Sequence, residues 1–222
     1  MPSRYAPRVC CFDFDGTLAD GYPAIAASVN RVRKKYGMPP LPVLEVQQHV
    51  GRGLDYLLKQ TVPPADTEAD TLLYRNHYAQ VMKEGTVLLP GARDTLAALH
   101  EAGVRLAVCS NKPAPFTKEL LEYLGLAEFL DLVLGPDDVP HKKPAPDMLL
   151  AALHGLICRP EHALYVGDMT IDVQTARAAA VPVWVVATGS DTLDTLRDAT
   201  PDRILGSLEE FLPAWQAAFI AD

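Results

Sequence analysis

The chain has 222 residues, 49% of them hydrophobic and 22% charged, with 20 basic against 28 acidic side chains and a net charge of −8. No long basic run and no apolar stretch of transmembrane length interrupts that balance. Nucleic acid and an anionic membrane are therefore not expected as partners. A phosphate-bearing substrate is still compatible with the net charge, because a few local cations decide that. The four cysteines (Cys10, Cys11, Cys109 and Cys158) show neither Cys-x-x-Cys nor zinc spacing. The longest apolar run near the start is 9–12, too short for a signal-peptide core. The expectation is a cytoplasmic protein with reduced thiols, a monomer or homodimer.

The first predicted element is a strand over 9–12, which closes in Asp13-Phe14-Asp15-Gly16-Thr17. An apolar run ending at a glycine reads as a buried strand opening into a loop. Helical spacing follows over 24–36, 43–50, 54–60 and 69–84, with Pro39-Pro40 and Pro63-Pro64 as separators and no convincing strand pattern. A helical block of that length exceeds an ordinary connection, so residues 20–88 are expected to form a small domain over the sheet edge, entered by linkers at 20–23 and 88–91. After Leu89-Pro90-Gly91 the pattern alternates: helix 92–102, strand 104–109, helix 116–124, strand 132–134, helix 146–156, strand 163–166. It continues with helix 170–180, strand 181–187, helix 191–199, strand 203–205, and a last helix over 208–219 that Pro213 kinks or restarts. Strands alternating with helices mean an α/β fold with a largely parallel sheet.

Two carboxylates at one strand end repel unless a cation or shared proton holds them, so Asp13 and Asp15 point to a divalent-metal site. A calcium loop is excluded, because counting from Asp13 places Thr17, Leu18 and Ala24 where Asp, Gly and Glu are needed. Three more polar clusters follow: Ser110-Asn111-Lys112-Pro113 and Gly167-Asp168, with Asp172 four residues on, both after predicted strands, and His141-Lys142-Lys143-Pro144 between them. Singly, Ser110 reads equally well as a helix N-cap, Asp168 as a turn residue and Lys143 as a surface lysine. Four such clusters in this order are hard to explain that way.

The set Asp13-Phe14-Asp15-Gly16-Thr17, Ser110-Asn111, Lys143-Pro144 and Gly167-Asp168 with Asp172 resembles the four motifs of the haloacid dehalogenase superfamily. The stretches 89–96 and 143–147 resemble its phosphoglycolate phosphatase-like branch, which carries a helical cap. The resemblance implies a Rossmann-like doubly wound parallel core over 1–19 and 89–222, with residues 20–88 as an α-helical cap. It implies Asp13 as a nucleophile forming an aspartyl-phosphate, and Asp15 as general acid and then base. It implies Mg²⁺ held by Asp13, the Asp15 carbonyl and Asp168, with Asp172 in or just outside that shell. Ser110, with neighbouring amides, would hold the phosphoryl oxygens, Asn111 and Thr17 would join in substrate binding, and Lys143 would neutralise the nucleophile and phosphate. Gly16 would let the backbone approach the substrate.

Two positions depart from the pattern: Ala180 stands where relatives usually place Gly, and Met169 replaces a small polar residue after Gly-Asp. Arg52, in Gly51-Arg52-Gly53 between two cap helices, is a candidate for a substrate carboxylate or hydroxyl, against an exposed arginine at a helix start. His49 and Tyr22 are weaker candidates for the cleft, and Trp184 reads as core. Asp15 favours phosphoester chemistry over carbon–halogen cleavage. The expected function is a Mg²⁺-dependent phosphatase for a small phosphorylated metabolite such as 2-phosphoglycolate. The alternatives are a sugar phosphomutase, a phosphatase for a sugar or amino-sugar phosphate, and, last, a non-catalytic binding module.

Overall fold

The computed structural model describes residues 6–63 and 68–219; Pro64 of the second proline pair lies outside them. Strand β1 (Val9–Phe12) leads to a two-residue strand β2 (Ala19–Asp20), then to helices α1 (Tyr22–Lys35), α2 (Val43–Gln47), α3 (Leu54–Thr61) and α4 (Glu68–Val81). Strand β3 (Val87–Leu88) returns antiparallel to β2. Beyond it come α5 (Ala92–Glu101), β4 (Arg105–Cys109), α6 (Ala114–Tyr123), β5 (Leu132–Leu134), α7 (Asp147–Gly155) and β6 (Ala163–Gly167). The chain closes with α8 (Thr170–Ala178), β7 (Val183–Val186), α9 (Leu193–Asp198), β8 (Arg203–Leu205) and α10 (Phe211–Phe219).

The main sheet has six strands in the order β5-β4-β1-β6-β7-β8, all parallel. Strand β1 lies in the middle because it is apolar on both faces: Cys10 and Phe12 join one core, Val9 and Cys11 the other. Burying a side chain such as Phe12 contributes about 2–3 kcal/mol, which a solvent-facing edge strand would forgo. Phe12 is in register with Val108 of β4 and Val166 of β6. The next residues of these three strands therefore emerge together, at the point where the strand order reverses on either side of β1.

The predicted strands and helices are found, with shifts at several ends and three instructive differences. The β2–β3 ribbon was not read, because two residues per strand are too few to show alternation. Strand β7 starts at Val183 rather than 181, and Pro182, lacking an N–H, contributes only its carbonyl, to Tyr165. Pro213 lies in the first turn of α10 and does not break it, because its missing N–H would be unpaired there anyway. Helices α1, α3 and α4 pack their apolar faces into the same cluster as Phe12 and Phe14, which brings this block over the carboxyl ends of the strands. No helix among the described residues is long and apolar enough to cross a membrane.

Candidate active site

Asp13 follows β1 directly, and its amide donates to the Val166 carbonyl, which continues the β1–β6 pairing by one residue. Its side chain is fixed at both oxygens: Oδ1 accepts from the Phe14 amide at 2.8 Å, and Lys143 Nζ lies 2.8 Å from Oδ2. Lys143 is 2% exposed and uses every donor of its ammonium, on Asp13, on Asp172 Oδ1 at 2.7 Å and on the Tyr165 hydroxyl at 3.0 Å. Burial opposes the Lys143 charge, yet Asp13 and Asp172 outweigh it and hold its pKa above the usual lysine range. The lysine of the doublet that enters the site is Lys143; the Lys142 side chain instead packs against Gly53.

Asp168 and Asp172 are fully buried but differently employed. Both oxygens of Asp172 are taken: Oδ1 by Lys143 and Tyr165, Oδ2 by the amides of Asp168 and Met169. Asp168 Oδ1 accepts from Thr17 Oγ1 at 2.8 Å, and its Oδ2 is buried with no partner among the described residues. Carboxylate oxygens of Asp13, Asp168 and Asp172 lie within 4.8 Å of one another, an all-oxygen set suited to a hard divalent cation. The unpartnered Asp168 oxygen is the strongest sign of one, since an orphaned buried carboxylate oxygen is costly. Burial, then Asp172 and Asp13, push the Asp168 carboxyl well above its usual range, the condition that a cation would reverse. Gly16, at φ +84°, is required here: a Cβ would come within 2.5 Å of Asp168 Oδ2 and of the Tyr22 hydroxyl.

Asp15 has a different partner. Lys112 Nζ lies 2.6 Å from its Oδ2, and both side chains are buried. Burial raises the Asp15 pKa, and Lys112 pulls against it without cancelling the effect. Lys112 also sits 4.8 Å above the Tyr78 ring. Asp13, Asp15, Ser110, Asn111 and Lys112 form the polar floor of a cavity of about 60 Å³, whose walls and roof are side chains such as Ile25, Leu54, Leu57, Tyr78 and Phe116.

The remaining candidates separate. Ser110 is buried and faces this cavity. Thr17 is committed to Asp168. Asn111 Nδ2 donates to the carbonyls of Gly51 and Lys143, and its Oδ1 accepts from the Lys143 amide, so it ties the turn after α2 to the site floor. Gln47 Nε2 adds a second tie, to the Gly189 carbonyl, and Met169 fills the space a Cβ on Gly51 would need. Arg52 is not brought to the cavity: it is exposed, its guanidinium 5.4 Å from the Tyr56 ring, and only the flanking Gly51 and Gly53 line the space. Tyr22 lies beside Asp168, its hydroxyl 3.3 Å from Ser190 Oγ, and His49 packs near Tyr56. The residue to which sequence reasoning gave no role is Lys112; its place in the Ser110 cluster was the available signal.

Comparison with known proteins identifies relatives of nearly the whole chain. The family model of haloacid dehalogenase-like hydrolases matches residues 10–186. The phosphoglycolate phosphatase of Salmonella typhimurium is 35% identical over 231 residues, covering 93% of this chain and 92% of that protein. A haloacid dehalogenase-like hydrolase from Bacteroides fragilis has a TM-score of 0.84 at 29% identity, over 92% of this chain and 99% of that one. A hydrolase of the same family from Deinococcus radiodurans R1, solved with bound phosphate and sodium, has a TM-score of 0.77 at 25% identity, over 96% and 97% of the two chains. With its carboxylates gathered at the ends of β1 and β6 and relatives matching along nearly its whole length, the chain belongs to the haloacid dehalogenase-like hydrolase family, in the branch that resembles the phosphoglycolate phosphatases.

Proposed function

We propose that the protein is a Mg²⁺-dependent phosphoric monoester hydrolase of the cytoplasm, acting on a small phosphorylated metabolite, 2-phosphoglycolate, through an aspartyl-phosphate at Asp13. The observation that carries this reading is the unequal treatment of the two first-motif carboxylates. Asp13 is locked in place by Lys143 and the Phe14 amide. Asp15 stands across the cavity floor with a burial-raised pKa and a lysine of its own. One carboxylate suits attack and the other suits proton transfer.

In this reading an Asp13 oxygen attacks phosphorus, the bond to the leaving oxygen breaks, and Asp15 gives that oxygen its proton. Asp15, now a carboxylate, takes a proton from the water that attacks the same phosphorus, and Asp13 is released with inorganic phosphate. Lys143 holds the nucleophile's direction and offsets its charge. Ser110 and the amides around it receive phosphoryl oxygens. Asp13, the Asp15 carbonyl and Asp168 would hold the Mg²⁺, with Asp172 aiming Lys143 and the Asp168 backbone rather than binding metal directly. The ion, when bound, supplies positive charge against the repulsion between a carboxylate and an anionic phosphate. Removing one such aimed group typically costs on the order of a hundredfold in rate. Residues 20–88 act as the cap that excludes water from this chemistry, held closed through Asn111 and Gln47.

A sugar phosphomutase, or a phosphatase for sugar phosphates, fits the site less well. Beyond the charged floor the cavity is lined mainly by apolar side chains, which leave a hexose's hydroxyl groups few partners. Phosphate release from 2-phosphoglycolate, hexose phosphates, an amino-sugar phosphate, nucleotides and pyrophosphate, each with Mg²⁺ and with chelator, tests the reading. Mg²⁺-dependent release chiefly from 2-phosphoglycolate is expected. Isomerisation of a hexose phosphate with little net release would overturn it.

A further inference from the structure

The phosphatase reading assigns Lys143 but gives Lys112 no task, although burying a second ammonium in the same site is costly. Among the described residues lining the cavity Lys112 is the only cation, and its ammonium donates to Asp15 Oδ2 at 2.6 Å, which leaves further donors for a ligand. Beside it is a second unused donor. Tyr78 is 2% exposed and lines the same cavity, and its hydroxyl, with Lys112 and Thr86 as polar neighbours, completes a hydrogen bond to neither. Its ring is held from two sides, stacked on Tyr74 at 5.8 Å and edge-on to Phe116 at 5.2 Å, so the hydroxyl is not free to swing away. A fixed buried hydroxyl, beside an ammonium that has donors to spare beyond Asp15, describes a receptor for a compact anion.

We infer that Lys112 and Tyr78 together read a carboxylate on the leaving group, selecting short phosphate esters whose alcohol carries an acid close to the ester oxygen. The inference rests on the phosphatase reading and adds the residues that choose among its substrates. It also gives that choice to this pair and not to Arg52, whose guanidinium faces Tyr56. The carboxylate takes its hydrogen bonds from Lys112 Nζ and the Tyr78 hydroxyl, while the phosphoryl group lies toward Asp13 and Ser110. An ester of the same length ending in a neutral hydroxyl leaves the ammonium with Asp15 alone, and a site with charged donors rejects a partner that lacks the matching acceptor.

The test compares kcat/KM for 2-phosphoglycolate and for 2-hydroxyethyl phosphate, in the wild type and in Lys112→Met, Lys112→Arg and Tyr78→Phe, each checked for a native melting transition. The wild type is expected to favour the carboxylate ester by on the order of a hundredfold, as charge-assisted hydrogen bonds allow. In Lys112→Met that ratio falls toward one, chiefly through KM for the acid. Lys112→Arg keeps a clear preference, and Tyr78→Phe, which removes a single oxygen, lowers it by roughly fivefold to tenfold. Hydrolysis of both esters at similar rates by the wild type overturns the inference and leaves the phosphatase reading standing. So does a preference that survives Lys112→Met in full, or, if the lysine variant does not fold, one that Tyr78→Phe leaves undiminished. Hydrolysis of neither ester by the wild type, with hexose phosphate isomerised instead, removes both.

Discussion

The floor and the roof of the cavity are built on opposite principles. The floor belongs, through Asp13, to a network in which most polar atoms are spoken for: Lys143 serves three partners, Asp172 accepts four hydrogen bonds, and Asp13 is held at both oxygens. The roof, made by α1, α3, α4 and the turn at Gly51, is apolar, with the unpartnered Tyr78 hydroxyl at its margin and Lys112, paired with Asp15 on the floor, 4.8 Å from the Tyr78 ring. A saturated network fixes geometry, and fixed charge is what phosphoryl transfer requires. An apolar surface with few polar groups fixes little and discriminates much. Chemistry and choice of substrate are therefore expected to fail separately.

The largest effect should come from the floor. Asp13→Asn removes the nucleophile while preserving shape, and turnover should fall by more than about ten-thousandfold with an unchanged circular-dichroism spectrum, the scale on which nucleophile deletions act. Wild-type-like turnover in that variant would take Asp13 out of the mechanism. Lys143→Met comes next: it leaves Asp13 and Asp172 as buried carboxylates without their cation, so stability should drop by about 3–5 kcal/mol and kcat by on the order of a hundredfold. If denaturant unfolding shows no loss, the saturated floor is not a stability element.

The roof should respond differently. Leu54→Ala enlarges the cavity wall and should raise KM by roughly tenfold with a smaller change in kcat; equal losses in kcat and kcat/KM would mean that the roof takes part in the chemistry. Cation binding links the floor to pH. Burial raises the Asp168 carboxyl above its ordinary value of 3.8, so at lower pH a proton competes with the ion for the same oxygen. The rise in melting temperature on adding Mg²⁺ should therefore grow as pH increases from about 5 to 8, the direction in which that proton is released. A gain independent of pH would show that Asp168 does not hold the ion. The smallest effect lies outside both regions. Ala180 follows α8 with φ +56°, a conformation that glycine adopts without strain, so Ala180→Gly should stabilise the fold by about 1 kcal/mol.

The same contrast explains what the sequence could convey. Much of the floor was legible because three of its residues follow strands that announce themselves locally: 9–12, 105–109 and 163–167 are apolar runs closed by polar turns. Asp13, Ser110 and Asp168 follow those ends, and a parallel sheet with β1 at its centre brings the ends together. Ala180 was legible too, as a residue where a glycine is usual. The roof was not. Whether Arg52 or Lys112 enters the cavity depends on how the turn at Gly51 seats against Met169 and Asn111, a contact across more than fifty residues that no local pattern encodes. Asn111 shows the same limit: its motif position was visible, but its use as a tie to Gly51, with all three of its bonds to backbone groups, was not. The pairing of Lys112 with Asp15 spans 97 residues and depends on the same packing.

The most direct test of the account is to trap the covalent intermediate. Enzyme turning over 2-phosphoglycolate with Mg²⁺ is quenched in acid, reduced with borohydride, which converts an acyl phosphate of aspartate to homoserine, and digested for mass spectrometry. The account predicts homoserine at position 13, absent without substrate and absent from Asp13→Asn. Homoserine at position 15, or none at any aspartate during steady phosphate release, would contradict it.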